Sequence, residues 1–279
     1  MGCKTVLFND TRDEKHIGCI TTVTNLIKFC KDCGIEIVKT YSRKNIKEFI
    51  NLEQVKFIII NGEGTFYNAP EYFIKILDVL EKYNLQAIIL NTVWQKMFGN
   101  FNLDRIKLIA FRESLSFNDF KSNYPDFKGE TLLTSDMIFY SNYEINKLGF
   151  GDSVLSGLKR HLKQNNYMPL QYIGSIPDVY AYLNWLSSLE LYITGRFHGI
   201  VLSIIAETPF LAFPSTSHKV ESLLKDLKCE DLLINSLSEI EAKRELAKTK
   251  IDNFKMYKLQ AKKRLDILKN KLKEVINEK

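Results

Sequence analysis

Tyr192-Ile-Thr-Gly-Arg196-Phe-His198-Gly199 lies between two apolar runs and reads as a strand-to-helix junction. Junctions of this kind build open α/β sheets, in which the carboxyl ends of the strands form the ligand crevice and the next helix offers N–H groups to an anion. Arg196 and His198 stand two residues apart at this point. A guanidinium fixes a phosphate or carboxylate through its planar fork, and an imidazole moves a proton near neutral pH. The combination points to transfer chemistry on a small anionic donor.

The next junction along the chain is Pro214-Ser215-Thr216-Ser217-His218-Lys219, between a strand at Phe210–Phe213 and a helix at His218–Leu227. Hydroxyls, an imidazole and an ammonium at a helix start form a phosphate nest. The plainer alternative is a simple cap by Ser217 or Thr216 with Lys219 solvated. Its place immediately after Arg196 and His198 favours a shared donor site.

Upstream, β-rich runs alternate with amphipathic ones, the pattern of a parallel sheet wrapped by helices. Strands are expected at Thr5–Asn9, Ile35–Thr40, Lys56–Asn61, Gln86–Asn91, Lys107–Phe111 and Thr131–Thr134, with helices at Cys19–Lys31, Pro70–Tyr83 and Glu113–Asn123. A second, smaller unit should hold helices at Asp152–Gln164, Pro177–Ser187 and His198–Ala206, and strands at Leu170–Ile173, Leu189–Thr194 and Leu232–Ile234. Ser141–Gly151 reads as the linker. The expected division is therefore 1–140 for an N-terminal Rossmann-like lobe on the acceptor side, 141–237 for a smaller one on the donor side, and 238–279 for a basic amphipathic helix. A cleft between two such lobes is the default ligand site.

Along the tail, Phe254, Tyr257, Ala261, Leu265, Leu268, Leu272 and Val275 recur at three- and four-residue steps, with lysines between them. That stripe predicts one long helix packed on its own domain or on a twin subunit. The basic face offers a second role, peripheral contact with an anionic membrane.

Polar groups gather after the predicted strands: Asp10 and His16, then Asn61-Gly62-Glu63-Gly64, Asn91-Thr92 with Trp94, Arg112-Glu113-Ser114, and Ser135-Asp136. Each alone is a turn or cap, but their convergence on one rim of an α/β sheet marks working residues. Asp10, Asn61, Asn91 and Asp136 are candidates for acceptor binding. Glu63, flanked by glycines that let backbone approach a ligand, could orient or deprotonate a hydroxyl, or simply sit in a tight turn. His16 is a further acid/base candidate, whereas His161 beside Arg160 reads as solvent-facing.

The bulk properties exclude several classes. Of 279 residues, 45% are hydrophobic and 26% charged, which is ordinary for a soluble globular chain. No apolar run approaches the ~20 residues of a membrane span, and the N-terminus has neither a signal-peptide pattern nor an acylation motif, so a cytoplasmic location is expected. Five cysteines form no even framework; the pair Cys30/Cys33 falls at a helix end, where nothing lowers a thiol pKa. From Lys243 to Lys273, 12 Lys/Arg face 3 Asp/Glu, an excess of 9 that leaves the rest of the +6 chain near −3. A nucleic acid polymer is not an expected partner for that body.

Taken together, these motifs resemble the polysaccharide pyruvyl transferase family. The late block carries the likeness: an apolar strand, Arg196-Phe-His198-Gly199, an apolar helix, Pro209, a strand ending at Phe213 and a Lys219-bearing helix start. Asn61-Gly-Glu-Gly64, Arg112-Glu-Ser114 and Asp136 fall where such proteins carry a glycine-rich turn, an arginine piece and an aspartate. In place of the family's Asn-x-Gly-Asp after the first strand stands Asp13-Glu-Lys-His16-Ile-Gly18-Cys19. The resemblance implies an α/β fold of two Rossmann-like lobes, similar to GT-B glycosyltransferases. It also implies transfer of pyruvyl from phosphoenolpyruvate to a sugar hydroxyl as a ketal, in assembly of a bacterial surface polysaccharide such as capsule or lipopolysaccharide. Arg196 and Arg112 would then bind the donor, with Ser215, Thr216, Ser217, His218 and Lys219, and His198 would be the acid/base group.

No cofactor and no metal are expected; the donor itself is a substrate. The acceptor would be a sugar or lipid-linked glycan at the inner face of the cytoplasmic membrane. Two other functions fit the same residues. One is a GT-B-type glycosyltransferase using a CMP-, UDP- or GDP-linked sugar, with His16, Asp10 or Glu63 as base. The other is a non-catalytic glycan-binding or scaffold subunit that interacts through its tail helix.

Overall fold

The computed structural model describes residues 3–14, 16–43, 45, 55, 57–64, 66–68, 70–97, 99–141 and 178–277. The chain forms two compact units, one of Met1–Glu14, Thr22–Tyr140 and Lys262–Lys279, the other of Lys15–Thr21 and Ser141–Ala261. The helix expected at Asp152–Gln164, the strand at Leu170–Ile173, His161, and the linker beyond Ser141 lie outside the described residues.

The first unit is a Rossmann-like α/β layer structure. Its sheet uses β1 (Cys3–Phe8), β2 (Ile35–Tyr41), β3 (Phe57–Asn61), β5 (Gln86–Thr92), β7 (Ile106–Phe111) and β8 (Glu130–Leu133), in the order β2-β1-β3-β5-β7-β8. Every pairing is parallel. Two-residue strands β4 (Phe66–Tyr67) and β6 (Trp94–Gln95) pair separately. Helices α1 (Ile17–Asp32), α2 (Pro70–Lys82) and α3 (Ser114–Asn123) supply the crossovers. All five residues of β3 are buried, as a strand covered on both faces requires. The order reverses direction between β1 and β3, so the crevice of the sheet opens where those two strands end.

Trp94, read from the sequence among the rim residues, belongs instead to the core. It is 1% exposed and meets Phe73, Phe101, Phe120 and Tyr124 edge-on. At the other end of α1, Cys30 and Cys33 are reduced and buried, and burial raises both thiol pKa values, that of Cys33 to about 11.

In the second unit, α4 (Val179–Ser187) leads to β9 (Tyr192–Thr194), α5 (Phe197–Ala206), β10 (Phe210–Ala212) and α6 (Lys219–Asp226). β9 and β10 pair in parallel. The strand expected at Leu232–Ile234 is a 3₁₀ turn, Glu230–Leu232, followed by a single bridge from Leu233 to Ala212. All ten residues of α5 are buried, and apart from His198 and Ser203 its side chains are apolar, as suits a central helix.

The tail is two helices, α7 (Glu239–Lys248) and α8 (Ile251–Asn277), and not one. Thr249 ends the first: its N–H bonds back to Leu246 and Ala247, and its hydroxyl donates to Leu246 O at 2.7 Å. A threonine side chain that takes a main-chain carbonyl competes with helix continuation. Along α8 the stripe from Phe254 to Leu272 is buried, so that face is consumed by the protein's own core. No described helix is long and apolar enough to cross a membrane.

Candidate functional site

In the first unit the expected acceptor-side residues knot the strand ends to one another. Asn9, in the left-handed conformation after β1 with φ 62°, donates from Nδ2 to Asn61 O at 2.7 Å and to Glu63 O at 3.3 Å. Asparagine tolerates that backbone where most residues do not. Asn61 returns a bond from Nδ2 to Asn9 O at 3.2 Å, and its Oδ1 accepts the Glu63 N–H. Glu63 Oε2 accepts from Thr11 Oγ1 at 2.9 Å and from Asn61 Nδ2 at 3.4 Å. The Glu63 carboxylate is thus an organiser of the β1 and β3 loops, 93% removed from solvent. Gly62 permits the arrangement, because a Cβ there would lie 2.6 Å from the Thr92 backbone.

Asp10 is held by Arg12 in a fork, Nε to Oδ1 at 2.9 Å and Nη2 to Oδ2 at 2.5 Å. Burial works against its charge, but the Arg12 bonds and a further one from Thr40 outweigh it, leaving Asp10 below the usual carboxylate range. That makes it a weak base.

A second knot joins the ends of β5 and β7 with the turn after β8. Arg112 Nη1 meets Asp136 Oδ2 at 2.9 Å, and each side chain is only 1% exposed. Asp136 Oδ1 also accepts the Ile138 N–H. Asn91 Oδ1 accepts from Met137 N at 3.2 Å, and Asn25 Nδ2 donates to Met137 O and Ile138 O. One residue expected at the donor and one expected at the acceptor are therefore the two halves of one buried ion pair.

The second unit assembles a different group. The turn at His16 and the start of α1 belong to it, and the His16 and His198 rings stand 5.7 Å apart at a tilt of 48°. Gly18 makes this approach possible: a Cβ at that position would fall 2.4 Å from His198 Cβ. Arg196 is the N-cap residue of α5 and gives the helix no side-chain cap; its N–H donates to Thr194 Oγ1 at 3.1 Å. His198, in the first turn, is 8% exposed. At α6 the cap position falls to His218, which gives the helix no side-chain cap, and not to Ser217 or Thr216. Ser217 is buried, Ser215 and Lys219 are half-buried, and Thr216 is exposed.

Two N–H donors in this group are buried with no acceptor among the described residues, His16 Nε2 and Arg196 Nε. The tautomer of His16 follows from its bonding: Gly18 N–H donates to Nδ1 at 3.1 Å, so a neutral ring carries its proton on Nε2. A buried donor left unpaired costs about 1–3 kcal/mol, a cost that an oxygen ligand would remove. Burial pushes the His16 pKa down to about 3, with the charges of His198, Arg196 and Lys219 adding to it.

Sequence spacing did not single out Cys19, whose Sγ lies with ligand atoms of His16 and His198 inside a 4.8 Å set. The only available signal was the one-turn step from His16 to Cys19 at a helix start. The trio has the types of a zinc site, but its surroundings do not suit a cation. A ligating imidazole donates from its second nitrogen, whereas His16 accepts there from Gly18. Arg196 and Lys219 contribute positive charge to the same place. Both features favour an anion.

The shifted imidazole has a consequence for stability. An unfolded His16 takes up a proton near pH 6.5, while the folded one resists until about pH 3. Its contribution is complete above pH 6.5 and is lost as the pH falls toward 3, at up to ~1.4 kcal/mol per pH unit. His16→Asn should flatten that acid limb in urea unfolding measured from pH 7 to pH 4. An unchanged slope would contradict the buried neutral ring.

A profile of the family described as polysaccharide pyruvyl transferase matches residues 16–217, a span that opens on His16 and includes Arg196 and His198. Among solved structures, the chain is similar to a functionally uncharacterised protein of Klebsiella pneumoniae subsp. pneumoniae NTUH-K2044. Identity is 14% over 84% of this chain and 94% of that one, with a TM-score of 0.50, a likeness of fold. No curated protein matches the chain.

Proposed function

The chain belongs to the polysaccharide pyruvyl transferase family, and we propose that it transfers the pyruvyl group of phosphoenolpyruvate to sugar hydroxyls as a ketal. The observation that carries this reading is the pair of buried, acceptorless N–H groups on His16 and Arg196, beside the His198 imidazole. Oxyanions of the donor satisfy both. Arg196, Lys219 and the uncapped start of α5 oppose the donor's charge.

His198 is the acid in this scheme. It delivers a proton to the C3 methylene, cationic character develops at C2, and an acceptor hydroxyl adds there. Phosphate then leaves by cleavage of its bond to C2, and a second hydroxyl closes the ketal. Of the two hydroxyl protons released, one balances the proton given to C3 and one departs with phosphate. Arg196 and Lys219 stabilise the charge that builds on the leaving group. His16, kept neutral, donates from Nε2 and does not compete with His198 for the proton.

A thermal-shift panel tests the donor. Phosphoenolpyruvate near a hundred times its dissociation constant should raise the melting temperature by ~5 °C, and Arg196→Gln should abolish the shift. Stabilisation by CMP, UDP or GDP, with none by phosphoenolpyruvate, would replace this reading with glycosyl transfer from a nucleotide sugar.

A further inference from the structure

Cys19 is a nucleophile that stands beside His198 and has no part in the scheme above. It lies in the first turn of α1, three residues after His16, and is 8% exposed. Its Sγ and one ring nitrogen each of His16 and His198 lie within 4.8 Å of one another. All three residues belong to the same compact unit. Burial raises the thiol pKa of Cys30, Cys33 and Cys229, which leaves those sulfurs inert. Cys19 has different neighbours: two imidazoles, and the positive charges of Arg196 and Lys219 that act on His16 beside it. The helix start adds to a field that favours negative charge on sulfur.

Given the donor assigned above, on which this rests, we propose that Cys19 attacks C2 of phosphoenolpyruvate and holds it as an S-linked phospholactyl adduct. C2 carries the carboxylate and the phosphate ester oxygen, and it is bonded to C3. It therefore lies between the oxyanion that satisfies His16 Nε2 and the atom that His198 protonates. A sulfur close to both rings is the nearest nucleophile to the cation that forms there. Thiols are intrinsically strong nucleophiles, and an adjacent imidazole is the base they need. The step balances without a co-reactant. His198 gives its proton to C3, with the C2=C3 π pair forming the new C–H bond. A sulfur lone pair forms the S–C2 bond, the thiol proton restores His198, and phosphate stays on C2. When S–C2 breaks with its pair returning to sulfur, the C2 cation reappears and the acceptor hydroxyl adds to it. The adduct thus shields the activated carbon from water while no acceptor is bound.

The full chain, incubated with phosphoenolpyruvate and no acceptor and then quenched in acid, should gain the intact mass of one phosphoenolpyruvate. Peptide fragmentation should map that gain to Cys19. Cys19→Ala and Cys19→Ser should lose the adduct while keeping the thermal shift with phosphoenolpyruvate. His198→Gln should lose it as well, for want of the proton to C3. A parent protein that phosphoenolpyruvate stabilises without any mass gain would overturn the proposal, and so would a gain that persists in Cys19→Ala. Neither thermal shift nor mass gain would remove phosphoenolpyruvate as the donor, and the adduct with it.

Discussion

His198→Ala is expected to lower turnover about 10²–10⁴-fold, the range for loss of a positioned proton donor. The melting temperature should move little, since the ring sits in the first turn of α5 beside another side chain, and the apolar run Ile200–Ile205 that packs the helix is untouched. His198→Gln, which keeps hydrogen bonding but cannot deliver the proton, should fail to rescue turnover while retaining the thermal shift with phosphoenolpyruvate. Gly18→Ala reaches the same end from the opposite side. It adds a Cβ 2.4 Å from His198 Cβ, so the imidazole must move, and displacement of a catalytic group by about 1 Å is worth about 10²-fold. Should His198→Ala turn over phosphoenolpyruvate at the parental rate, measured as phosphate release, His198 would have no part in the chemistry.

The sheet was legible because buried parallel strands leave near-continuous apolar runs, such as Phe57-Ile-Ile-Ile60, with polar residues just beyond them. The Arg196/His198 junction was legible because both groups and the helix they open lie within a few residues. What the sequence could not state was who meets whom. His16 and His198 stand 182 residues apart in the chain, and only the fold brings their rings together. Arg112 and Asp136 looked like two independent rim residues because pairing across neighbouring strand ends has no sequence signature. Nor does the Gly-Glu-Gly turn announce that Thr11 and Asn61 would bond to Oε2 of Glu63. Trp94 and Thr249 show the limits of local signals: the same tryptophan suits a rim or a core, and no glycine or proline announces the break before α8.

That buried pair yields the largest stability effect expected of the chain. Arg112→Met removes a guanidinium whose partner, Asp136, is 2% exposed and must then stay charged without it or take up a proton. Breaking such a pair from one side costs about 3–5 kcal/mol. Replacing both ends, Arg112→Met with Asp136→Leu, removes the stranded charge but also the acceptor of the Ile138 N–H. The double variant should therefore recover most of the loss and fall short of the parent by about 1–3 kcal/mol, the penalty of one unpaired buried group. Urea unfolding of the four proteins gives the coupling energy directly. A guanidinium that served the donor instead would reveal itself by the opposite pattern, with Arg112→Met unfolding at the parental midpoint while its thermal shift with phosphoenolpyruvate disappears. The stability loss is the expected outcome because the Arg112 side chain is only 1% exposed and Nη1 meets Asp136 at 2.9 Å. On this reading Arg112 fixes the strand ends from which the rim is built, and its loss is felt in folding before it is felt in binding.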